Sequence, residues 1–139
     1  MAEQIDRGAE LLAVTNIALK HSVALHNTVN RYKNLPKPVC DLRAELEDLI
    51  EVFEILRDTI NTNKSAGLTA LIIPLQRCGE VCREFEELII QYTNEICDEE
   101  MSLQGWAKLR YLGEDIYGFC HMVAGYKSTI KIALADVKL

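Results

Sequence analysis

Three stretches of this chain set apolar residues apart by alternating steps of four and three. The first holds Leu42, Leu46, Leu49, Phe53, Leu56 and Ile60. The second holds Leu71, Leu75, Cys78, Cys82, Phe85, Ile89, Tyr92 and Ile96. The third runs Leu109, Leu112, Ile116, Phe119, Val123, Tyr126, Ile130, Ala133 and Val137. This spacing lines one face of an α-helix and alternates faces in no strand. A looser stretch precedes them: Leu11, Val14, Ala18, His21, Leu25, Thr28 and Tyr32, widened by Ile17, Ala24 and Val29. Four amphipathic helices in one chain predict an all-α fold, an up-down-up-down bundle of four long helices.

Breakers set the expected boundaries. The first helix is expected from about Asp6, as its cap, to Tyr32. Pro36 and Pro38 end it and open the second near Pro38, which continues to about Thr62. Residues 61–67 form the clearest loop. The third helix starts at Leu68 or Pro74 and reaches Cys97. After the polar joint of residues 98–102, with Asp98 or Ser102 as cap, the fourth is expected as one helix from Ser102 to Val137. Gly105, Gly113, Gly118 and Gly125 sit inside it, each costing about 1 kcal/mol in helix propensity, and they permit close contacts or bends. A single domain over 1–139, excised from a longer protein, is the expected organisation.

Charge narrows the function class. The chain is 139 residues long with a formal net charge of -6. A nucleic-acid binder needs a basic face, so no nucleic acid is expected as partner. The acidic excess concentrates in the second helix, where Glu45, Glu47, Asp48, Glu51, Glu54 and Asp58 should form a solvated outer surface or dock a basic partner. The start of the chain is no signal peptide, and no run of apolar residues is long enough to span a bilayer. The five cysteines, Cys40, Cys78, Cys82, Cys97 and Cys120, are an odd set read as reduced thiols in a cytoplasmic protein.

The residues suited to chemistry do not form a known constellation. Cys78 and Cys82 share a helical face, but it is the apolar seam, where cysteine is a small core residue. A metal would need further ligands such as Cys120, His121 or His21 from other helices. Cys120 and His121 are adjacent and so do not face each other. A di-iron bundle requires a glutamate three residues before a histidine, and none occurs. No enzyme, cofactor, metal or small-molecule substrate is expected. Aromatic and basic residues interleave at Trp106, Lys108, Arg110 and Tyr111, a pattern found at protein and membrane interfaces.

Four stretches carry a resemblance: SVALHNTV at 22–29, PLQRCGEVCREFEE at 74–87, WAKLRYLGEDI at 106–116 and AGYKSTIKIALAD at 124–136. They resemble a fungal family of helical N-terminal domains found on NOD-like (STAND) receptors and ankyrin-repeat proteins, similar to the broader HeLo-like bundles. The resemblance covers about residues 20–139. It implies a signalling module rather than a catalyst. Some members of the broader group oligomerise and attack membranes in programmed cell death and incompatibility. Here the stretch from Gln4 to Leu12 is more polar than its family counterpart, and each charge at a bilayer centre is costly. A helix lying on the membrane surface is compatible with it.

The leading expectation is a protein-interaction and signalling module that regulates self-association or partner recruitment. The alternatives are a membrane-targeting cell-death executor and a structural oligomerisation domain, the last motivated by Ile55, Ile72, Val81, Leu88, Ile90 and Leu134 lying off the narrow seams. The candidate interaction surface is Lys20, His21, Thr28, Trp106, Lys108, Arg110 and Tyr111. It assumes that the first and fourth helices are neighbours and that the weakly seamed first helix can detach.

Overall fold

The computed structural model describes residues 2–32, 34–62, 67–96, 103–111 and 113–138. Among the described residues the fold is all-helical, with five helices, four of them long. They are α1 (Ala2–Asn30), α2 (Lys37–Asn61), α3 (Ile72–Ile96), α4 (Leu103–Lys108) and α5 (Ile116–Lys138), with a single 3₁₀ turn at Thr69–Leu71 before α3. Cys97, Asp98, Ser102 and Leu112, for which a joint, caps or a seam position were expected, lie outside the described residues.

The apolar seams are the core. All six seam residues of α2 are buried, and so are Leu75, Cys78, Cys82, Phe85 and Ile89 on α3. Leu11, Ala18, Leu25 and Val29 on α1 are fully buried, as are Phe119 and Val123 on α5. Phe85 and Phe119 stack with ring centroids 4.0 Å apart, joining α3 to α5. Pro36 is the N-cap of α2 and Pro38 sits in its first turn, where no intrahelical N–H bond is lost. Pro74 likewise falls in the first turn of α3.

Two boundaries differ from expectation. Helix α1 begins at Ala2, so Asp6 lies inside it and does not cap it. The expected single fourth helix is two. The backbone turns between Tyr111 and Glu114, which exchange both hydrogen bonds at 3.0 and 2.9 Å. Gly113 supplies the turn with φ 80°, a conformation that side chains resist. Asp115 then caps α5, its Oδ1 accepting from the Gly118 N–H at 3.0 Å. The six-residue α4 is the remainder.

The helix order is the third correction. Helix α1 packs against α2 and α3, and α2 packs against α5; α1 and α5 have at most marginal contact. The expected adjacency of the first and last long helices is therefore absent. The contacts give directions as well. Ala18 meets Gly79, Ser22 meets Cys82 and Thr28 meets Glu86, so α1 and α3 run parallel. His26 meets Glu47 and Asn30 meets Arg43, so α1 and α2 are antiparallel. Two features produce this order. The 3₁₀ turn before α3 packs on α1 as well as on α3. Gly79 then lets α3 approach closely: a Cβ there would lie 3.3 Å from Ala18 Cα.

Candidate functional site

The seven residues singled out from the sequence do not form one surface. Trp106 is fully buried, Thr28 is 2% exposed and Tyr111 is 9% exposed. Thr28 donates to Glu86 Oε2 at 2.8 Å, which satisfies its hydroxyl inside the α1–α3 interface. Tyr111 sets its ring edge-on to Phe119 at 6.0 Å. Burial, and then the hydrogen bond to the Glu84 carboxylate, push its phenol pKa up. Trp106 lies against Tyr32 in an edge-to-face pair at 5.4 Å. The end of α1 and the start of the old fourth segment do meet, then, but as core. Lys20, Lys108 and Arg110 are exposed and His21 is half-buried. Lys20 and His21 lie roughly 17 Å along the helix axis from Tyr32 and so are remote from the Trp106 end.

A different feature brings α1 residues to a concave surface. A groove of ≈ 320 Å³ runs between α1 and α3. Val14, Ile17 and Leu75 give it an apolar lining, and Gly79 gives it depth. His21, Gln76, Glu80 and Arg83 are its polar walls. Ile17 at its edge is 54% exposed, and Ile73 on α3 is 59% exposed. Arg83 is held by Glu87 at 2.9 Å, fixing one wall. The sequence signal for the groove was Ile17 beside the seam, but reading it required knowing that α3 is the neighbour. Arg110 and Tyr111 border a second, more open hollow of ≈ 290 Å³ with Glu84 and Glu87.

The acidic surface of α2 is less uniform than expected. Glu47, Asp48, Glu51, Glu54 and Asp58 are exposed, but Glu45 is folded in. Its Oε2 lies 2.8 Å from Lys127 Nζ of α5, which also reaches Asp48 at 3.4 Å. The contact with Glu45, reinforced by Asp48, raises the Lys127 pKa against the opposing effect of burial. Of the off-seam apolar residues, Val81 and Leu134 are buried, Ile72 and Leu88 are half-buried, and only Ile55 and Ile90 are exposed.

Cys78 and Cys82 lie one turn apart in the core, and the Ser22 hydroxyl sits 3.8 Å from Cys82 Sγ. Hydrogen bonding from Cys78 and then Ser22 favours the Cys82 thiolate, while the paired Cys78 thiol is pushed up. Cys40, Cys78, Cys82 and Cys120 are all unpaired thiols. Among the described residues no three His, Cys, Asp or Glu side chains converge to hold a metal ion. Among them, too, no helix is long and apolar enough to cross a membrane.

Fold and surface together define an all-helical domain with a partly apolar groove between two parallel helices. The family model described as "Pigment biosynthesis cluster protein PigL N-terminal" matches residues 2–139. The chain belongs to that family. No curated protein and no solved structure matches it.

Proposed function

We propose that this domain is a non-enzymatic protein-interaction and signalling module that recruits a protein partner through the α1–α3 groove. The observation that carries the reading is the groove itself. Ile17, 54% exposed, stands between polar walls over a floor formed by the buried Val14 and Leu75, a layout that suits an apolar side chain from another protein. The resemblance to N-terminal domains of NOD-like receptors supports the same reading, as a module placed ahead of the parts of a protein that sense or act. In this reading it works in the cytoplasm and takes no cofactor.

Immobilised domain should retain a partner from a lysate of the native cell, and Ile17→Arg should abolish that retention. A side chain at the centre of such a contact is worth about 2 kcal/mol or more, so the loss is roughly thirtyfold in affinity. Ile90→Arg, on a different exposed surface, should leave retention unchanged. Equal retention by wild type and Ile17→Arg would remove the groove from the account.

One observation favours a second reading, recruitment to a membrane surface. From Leu11 to Asn30 the only full charge on α1 is Lys20. A helix so poor in charge can lie in the headgroup region once its packing partners release it. Leakage from anionic liposomes, weakened by Ile17→Arg, would favour that reading over partner binding in solution.

A further inference from the structure

We draw no further inference here: the strongest candidate, the outward face of α2 on which Glu51, Glu54 and Asp58 flank the exposed Ile55, is an acidic cluster, and nothing in the structure shows what covers it.

Discussion

Trp106→Ala should destabilise the domain by about 3–5 kcal/mol, a large part of a typical domain's total stability. Trp106 is the chain's single tryptophan and is fully buried. Its ring closes the end of the core against Tyr32, and the short α4 has no other large side chain described as buried. Removing it leaves a cavity and unseats the joint between α3 and α5. Trp106→Phe should cost far less, ~1 kcal/mol. The reason is specific: among the described residues no group accepts from the buried Trp106 Nε1, so replacing the indole removes no hydrogen bond to them. Urea unfolding followed by circular dichroism checks both. Equal losses for the two variants would mean that the indole N–H makes a bond the domain depends on.

Gly79→Leu should cost about 3 kcal/mol through overpacking. Its Cβ would already press to 3.3 Å from Ala18 Cα, and the remaining carbons could be housed only by prising α1 off α3. The nearest atom is backbone, so Ala18→Gly should not rescue the variant. Gly79→Ala should be nearly neutral, since the gain in helix propensity offsets a squeeze of a few tenths of an ångström. The groove lies over this crossing. Gly79→Leu should therefore lose partner retention along with stability, whereas Ile17→Arg should lose retention alone. Thermal unfolding of the two variants, set beside their retention, separates these effects. Gly79→Leu as stable as wild type would mean that α1 and α3 do not approach as described.

Periodicity identified which face of each helix is buried, and the α2 stripe from Leu42 to Ile60 is the clearest example. It could not say which helix each face is buried against. That is why the first and last helices were expected to touch, and why the groove beside Ile17 escaped notice. The split of the last segment was missed for a related reason. Leu109, Leu112 and Ile116 keep the helical step straight through a turn, while of the decisive signals Gly113 was one of four glycines that permit a bend and Asp115 looks ordinary in sequence. Thr28, a polar position on the first seam, entered the candidate surface because release of the helix would expose it, and Trp106 because the residues after it are basic, although the cover of a helix end was its other reading. The partners that satisfy or enclose them, Glu86 and Tyr32, lie on a distant segment or across a joint. The same holds for Glu45, an acid among outward-facing acids until Lys127 of α5 is placed beside it.

These contacts change the role of α1. Its seam is weaker in apolar content than the others, and release of this helix was the natural expectation. Yet it packs on two helices, with Leu11, Ala18, Leu25 and Val29 fully buried and the hydroxyls of Thr15, Ser22 and Thr28 all bonded. In the proposed reading, an α1 packed in this way would present the groove as a surface of the intact bundle, and partner recruitment would need no prior unfolding. Native-state hydrogen exchange tests that most directly. Amides from Leu11 to Val29 should be protected as strongly as those from Leu42 to Ile60. Exchange of the α1 amides through a separate, low-energy opening while α2 stays protected would contradict it.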